Sequence, residues 1–221
     1  MDISFLVDGS ALACSRIVLG KAFVERLDAE VTSEKVGWLT LKAGVIVIDM
    51  INDFVTGVFK SDRAAKIVPN IKALLDHARE QKIPVIYATD AHLPGIDPEF
   101  DVWGKHAEAG SLGAEIINEL EPKKRDFRVF KRKYSAFQGT DLDQLLRELK
   151  VDTLILTGVV TDICIQHTAA DAFFKGYKII IPKDCVEAVD APTQETAIRF
   201  MRKAYGPEIT TSKQLLKKKL A

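Results

Sequence analysis

Six times between residues 42 and 211, a short run of β-branched and aliphatic residues gives way to a helical or turn-rich stretch. This rhythm constrains the fold more than any other feature of the chain. The runs are "VIVID" (Val45–Asp49), "PVIYATD" (Pro84–Asp90), "FRVFKRK" (Phe127–Lys133), "DTLILTG" (Asp152–Gly158), "KIIIPKD" (Lys178–Asp184) and the weaker "EITT" (Glu208–Thr211). Near-continuous apolar character is the mark of parallel strands covered on both faces. Between them lie helical patterns over Arg63–Lys82, over Asp141–Lys150 with Thr140 as the expected N-cap, and over Ala191–Gly206. The chain is therefore expected to be α/β: a three-layer, doubly wound, mostly parallel six-stranded sheet in the order 3-2-1-4-5-6, with right-handed crossovers.

Two segments fall outside the rhythm. Residues 1–41 hold one helical pattern, Ile17–Glu30, and are expected to form an added layer or an oligomer contact ahead of a single domain over 42–221. The stretch Ala91–Asp126 has loop chemistry at Pro94-Gly95, Asp97-Pro98, Gly104 and Gly110. Loops this long inside compact domains tend to be functional. The tail "KQLLKKKLA" reads as a solvated helix end.

Charge and cysteine usage exclude several classes. Lys+Arg and Asp+Glu both number 31, so the formal net charge is zero and no broad electrostatic footprint for nucleic acid or an anionic membrane exists. No apolar run approaches the ~20 residues of a bilayer span. The start "MDISFLVDG" lacks a basic leader. Three scattered cysteines, Cys14, Cys164 and Cys185, argue against a disulfide framework and for a reducing, cytoplasmic setting.

Ligands in open parallel sheets bind beyond the carboxyl ends of the strands. Asp49, Asp90, Lys133 and Cys164 lie at or just past the ends of four consecutive runs. In the expected order, strands one and four are adjacent, so Asp49 and Cys164 face each other as a base–nucleophile pair. Lys133 is expected to reach in as the supporting cation. Cys164 opens a helix, where the dipole and free N–H groups favour a thiolate. Its N–H and that of Val160 are candidate oxyanion donors, which suits acyl transfer. His167, three residues on, offers an alternative Cys–His dyad or a structural histidine. Cys14 and Cys185 read as inert, and His77 as a partly exposed helix residue. A second cluster, Asp90, His92 and His106, supplies one carboxylate and two imidazoles, a ligand set for Zn²⁺ or Fe²⁺. Two loop histidines without a metal are the plainer alternative.

These residues occur in stretches that resemble one family. "VIVIDMINDF", "ATDAH", "WGKHAEAGSLGAEI", "KRKYSAFQGTDLDQLL" and "LTGVVTDICIQHTAADAFFKGYKIIIPKDCVEA" resemble, in order, the motifs of the isochorismatase-like cysteine hydrolases, from about Gly44 to Gly206. The resemblance implies an Asp-Lys-Cys triad at Asp49, Lys133 and Cys164. It also implies an oxyanion hole at Val160 and Cys164 beside a non-proline cis peptide, Val159-Val160. The nicotinamidase branch of this family implies a divalent transition metal, Zn or Fe, on Asp90, His92 and His106, and no organic cofactor.

The activity so implied is hydrolysis of a small-molecule carboxamide through a cysteine thioester, with release of ammonia. Nicotinamide is the first candidate, with Phe54 and Trp103 lining its ring pocket. An N-carbamoylsarcosine amidase or another ureido or amide hydrolase is the alternative within the class. "WGKHAEAGSLG" departs from the nicotinamidase pattern, which carries Trp-Pro-x-His-Cys, and "HLPGIDPEF" lacks a second His. Isochorismatases proper lack the cysteine, so Cys164 argues against vinyl-ether cleavage. A non-catalytic small-molecule-binding domain has no need for all three triad residues. The expected partners are the amide substrate and further copies of the chain, with no nucleic acid and no membrane.

Overall fold

The computed structural model describes residues 42–220. The helix expected over 17–30, the role given to residues 1–41, and Cys14 all lie outside the described residues. Within them, seven strands form one sheet: β1 (Ala43–Ile48), β2 (Val85–Asp90), β3 (Phe127–Lys131), β4 (Thr153–Val159), β5 (Lys178–Pro182), β6 (Val186–Glu187) and β7 (Glu208–Thr210). Every pairing is parallel, in the order β3-β2-β1-β4-β5-β7. The six expected strands form in the expected order. The seventh is β6, which pairs Val186 and Glu187 with Gly158 and Val159 above the point where β5 leaves β4.

The helices are α1 (Asn52–Val55), α2 (Asp62–Glu80), α3 (Glu99–Trp103), α4 (Leu142–Glu148), α5 (Gln166–Phe174), α6 (Ala191–Ala204) and α7 (Ser212–Leu215). Alternate residues of each central strand feed two separate cores. Val45, Val47 and Tyr87 pack with Ile67, Ile71, Leu74 and Ala78 of α2 on one face. Ile46, Ile48 and Ile86 pack with Leu142 and Leu146 of α4, Ala169 of α5 and Met201 of α6 on the other. A strand with two buried faces has no polar alternate positions, which is why these runs read as continuous. Each fully buried Val or Ile contributes about 1.5–3 kcal/mol.

Helix ends follow local chemistry, with one change from expectation. Ser61 accepts the Ala64 N–H to open α2, and Asp190 accepts that of Thr193 to open α6. Thr140 is not the N-cap of α4; Asp141 holds that place without a side-chain bond. Thr140 instead donates to the Ala136 carbonyl at 2.6 Å and accepts the Leu142 N–H at 3.3 Å. The tail also differs from a solvated end. Leu215 and Leu220 are buried in the α2-side core, and the Leu220 N–H donates to Gln81 Oε1 at 2.8 Å. Among the described residues no helix is long and apolar enough to cross a membrane.

Candidate active site

The carboxyl ends of β1, β2, β3 and β4 bring four chemically active residues together. Gly158 makes the closest approach possible. It pairs with Ile48 at φ 110°, and a Cβ there would fall 1.9 Å from the Ile48 carbonyl oxygen. Only glycine allows the two strand ends to meet this way. Asp49 follows directly at φ 53°, a left-handed conformation rare outside glycine, though Asp tolerates it better than most. That turn aims the carboxylate inward, where its Oδ1 accepts the Asp90 N–H at 2.8 Å. Cys164, 6 % exposed, lies on a wide π-helical turn, Thr161–Ile165, that leads into α5. The Val159-Val160 peptide before it is cis, as the sequence resemblance implies.

The cation at this junction is Lys131, not Lys133. Lys131 ends β3 fully buried, with Nζ 2.8 Å from Asp49 Oδ2, 2.6 Å from Asp90 Oδ1 and 3.7 Å from Cys164 Sγ. Val129 and Lys131 are the inward residues of β3. Lys133 shares their parity, but the strand has ended by then and the turn leaves its side chain exposed. An apolar run that closes on three basic residues does not reveal which of them is the last in the ladder. His167 also lies apart: it is exposed, and its Nδ1–H donates to the Ile163 carbonyl at 2.7 Å. It does not line the crevice above Cys164.

Charge in this cluster is distributed unevenly. Burial alone would depress Lys131, but Asp49 and Asp90 hold it well above its ordinary value, so it stays an ammonium. Burial would raise Asp90, yet Lys131 and His92 bring it below the usual carboxylate range. Asp49 is pushed up to about 7, by burial first and by the Asp90 charge second. Burial also lifts Cys164 well above an ordinary thiol, and Lys131 does not offset it. Burial thus holds Cys164 in its thiol form, with an Asp49 carboxylate oxygen within 4.8 Å of the sulfur. A carboxylate poised near neutrality beside a protonated thiol is placed to take its proton.

The second cluster forms, with one more member than the sequence suggested. Asp90, His92, Glu99 and His106 are all buried and each places one ligand atom within 4.8 Å of the others. His92 Nε2 lies 3.6 Å from both Asp90 Oδ2 and Glu99 Oε2, and neither ring nitrogen of His92 has a hydrogen-bond partner among the described residues. The His106 Nδ1–H donates to the Gly104 carbonyl at 2.7 Å, which leaves its Nε2 as a lone-pair donor. Buried imidazole nitrogens without partners, facing two carboxylates beyond hydrogen-bond range, fit a divalent cation. Glu99 sits on the five-residue α3 within the long loop, and no periodicity there singles it out. Asp97 was also missed. It accepts Arg132 Nε at 3.0 Å and Nη2 at 2.6 Å, takes the Leu93 N–H at 2.7 Å, and lies 3.6 Å from His92 Nδ1.

Both clusters open on one crevice of about 710 Å³, mouth included. Phe54 and Trp103 line it as expected, joined by Phe59, Tyr134 and Val160, with Cys164 and Asp90 at its base. The Trp103 indole N–H donates to the Tyr134 hydroxyl at 3.1 Å. These walls are aromatic and apolar, a surface that suits a flat organic ligand.

Residues 43–214 match the family model described as the isochorismatase domain, and the chain belongs to the isochorismatase family of hydrolases. Among solved structures it is similar to N-carbamoylsarcosine amidase from Thermoplasma acidophilum, at 36 % identity and a TM-score of 0.73, covering 77 % of this chain and 96 % of that one. It is also similar to nicotinamidase PncA from Bacillus subtilis, at 32 % identity and a TM-score of 0.73, covering 76 % and 99 %. A third, pyrazinamidase of Pyrococcus horikoshii in complex with zinc, is 26 % identical with a TM-score of 0.71, covering 77 % and 99 %.

Proposed function

We propose that the protein hydrolyses a small, uncharged carboxamide through a thioester on Cys164, with nicotinamide as the first candidate. The observation that carries this reading is Lys131, a single buried ammonium in contact with Asp49, Asp90 and Cys164, of which Asp90 and Cys164 line the aromatic crevice. As the substrate carbonyl approaches, Sγ bonds to its carbon and the thiol proton passes to Asp49. The N–H groups of Val160 and Cys164 are the proposed donors to the oxyanion. Asp49 then returns the proton to the departing nitrogen, ammonia leaves, and the acyl group remains on sulfur. In the second half Asp49 takes a proton from water, whose oxygen bonds to the acyl carbon; the C–S bond breaks to give the carboxylic acid, and Asp49 returns the proton to the departing Cys164 sulfur. Lys131 keeps its proton throughout and stabilises the charge that alternates between Asp49 and the sulfur.

Asp90, His92, Glu99 and His106 would hold a divalent metal, Zn or Fe. Such an ion supplies a Lewis-acid contact for a ring nitrogen or a bound water. A pyridine carboxamide presents a lone pair to that side of the crevice and its amide to Cys164.

A ureido amide remains the second reading, supported by the 36 % identity to an N-carbamoylsarcosine amidase. N-carbamoyl amino acids carry a carboxylate, however. Among the described residues lining the crevice, no Lys or Arg is placed to pair with that carboxylate, and Glu187 would repel it. That charge pattern favours an uncharged amide. The test is ammonia release from a panel of aryl carboxamides and N-carbamoyl amino acids, with metal content determined on the same protein. Faster turnover of the carbamoyl amino acids would replace the first reading by the second.

A further inference from the structure

Glu187 is the one carboxylate lining the crevice that belongs neither to the Lys131 network nor to the candidate metal cluster, among the described residues. It stands on β6, paired with Val159 of β4, and both residues line the crevice from adjacent strands. Its carboxylate is held on one side only. Oε1 accepts Arg63 Nη2 at 2.5 Å and the Ala188 N–H at 3.2 Å. Oε2 receives no donor from the described residues. Arg63, in the first turn of α2, also donates from Nε to the Ala188 carbonyl at 3.3 Å, which fixes the short β6 segment against that helix. The result is a partly buried carboxylate at the crevice, with one oxygen held by a guanidinium and the other left without a donor from the described residues. A charge-assisted acceptor held this way rewards a ligand N–H or O–H, and penalises an apolar group that would cover it.

We infer that Glu187 determines specificity: the substrate carries an N–H or O–H donor remote from its scissile amide, received by Glu187 Oε2. The inference rests on the amidase reading for which bond is broken, but recognition can be measured without turnover. The probes are ring-amino nicotinamides and the ring-methyl nicotinamides that match them in position and size. Binding is measured by calorimetry on the Cys164→Ala protein, which cannot form the thioester. At one ring position at least, the amino compound is expected to bind roughly tenfold more tightly than its methyl partner. Glu187→Gln in the same background should shrink that ratio, and Arg63→Met/Glu187→Leu, which leaves no unpaired guanidinium, should abolish it. Thermal melting of each variant checks that the fold is kept. Equal binding of amino and methyl partners overturns the inference, as does a preference that survives both variants, or no binding by any of the probes. Ammonia release by the native protein from the same compounds tests the amidase reading separately, so the two can fail independently.

Discussion

Lys131 Nζ stands 2.6 Å from Asp90 Oδ1, while the other oxygen of that carboxylate, Oδ2, faces His92 Nε2 at 3.6 Å. One carboxylate thus joins the Lys131–Asp49–Cys164 charge network to the candidate metal cluster. Asp90 leaves the sheet at the end of β2, between β1 with Asp49 and β3 with Lys131, so parallel register alone places it between the two.

Replacing Lys131 should be far more damaging than replacing Lys133. Lys131→Met leaves Asp49 and Asp90 buried without their shared cation, a loss of about 3–5 kcal/mol for a broken buried pair. Turnover should fall by roughly a thousandfold or more, with a clearly lower melting temperature. Lys133→Met, at an exposed position, should keep turnover within about twofold. Steady-state kinetics and calorimetry on both variants decide, and comparable losses would return Lys133 to the site.

Asp49 sets the expected pH dependence. Its carboxyl is raised to about 7, and only the ionised form accepts the thiol proton. Values of kcat/KM should therefore climb as pH rises through about 7 and then level, with an apparent midpoint that belongs to the coupled cluster. Asp49→Asn should remain inactive across the range. Recovery of Asp49→Asn at high pH would show that an ionised thiol suffices and that Asp49 is not the shuttle.

Arg132 is expected to matter for metal affinity while touching none of the four candidate ligands. It clamps Asp97, which lies against His92 Nδ1 and anchors the loop at Leu93. Loss of an outer-sphere partner of this kind typically weakens metal binding by about 10–100-fold. Arg132→Met should show this in competition with a chromophoric chelator, and His92→Ala should lose the metal altogether. Unchanged affinity in both variants would remove the metal from this cluster.

Gly158→Ala tests the meeting of β1 and β4. The added methyl would fall 1.9 Å from a backbone oxygen, at a φ of 110° that other residues rarely adopt. Neither strand end can retreat without opening the sheet, so a destabilisation above about 3 kcal/mol is expected. A melting temperature within two or three degrees of the native protein, roughly 1 kcal/mol for a chain of this size, would show that the junction yields.

The sheet was legible because burial on both faces strips the central strands of polar positions. "VIVID", "PVIYATD" and "DTLILTG" could hardly be anything else, and their order places Asp49 opposite Cys164. Ends and loops were less legible. Lys131 and Lys133 have the same strand parity and the same chemistry, and only the point where β3 stops separates them. Glu99 and Asp97 lie in a loop whose path is set by tertiary contacts, the Arg132 clamp among them, rather than by any local period. Glu187 belongs to a two-residue strand, too short to leave a pattern. For Cys164, the position at a turn is visible in the sequence, whereas the burial that raises the thiol is not.

The central claim is that acyl transfer passes through the Cys164 sulfur. Acid-quenched reactions of the native protein with its best amide substrate, digested and read by mass spectrometry, address it directly. The account predicts an acyl adduct on the peptide containing Cys164, formed at least as fast as the acid product appears and absent from the inactive Cys164→Ala protein. Steady turnover with an unmodified Cys164 peptide, together with activity retained in Cys164→Ala, would contradict it.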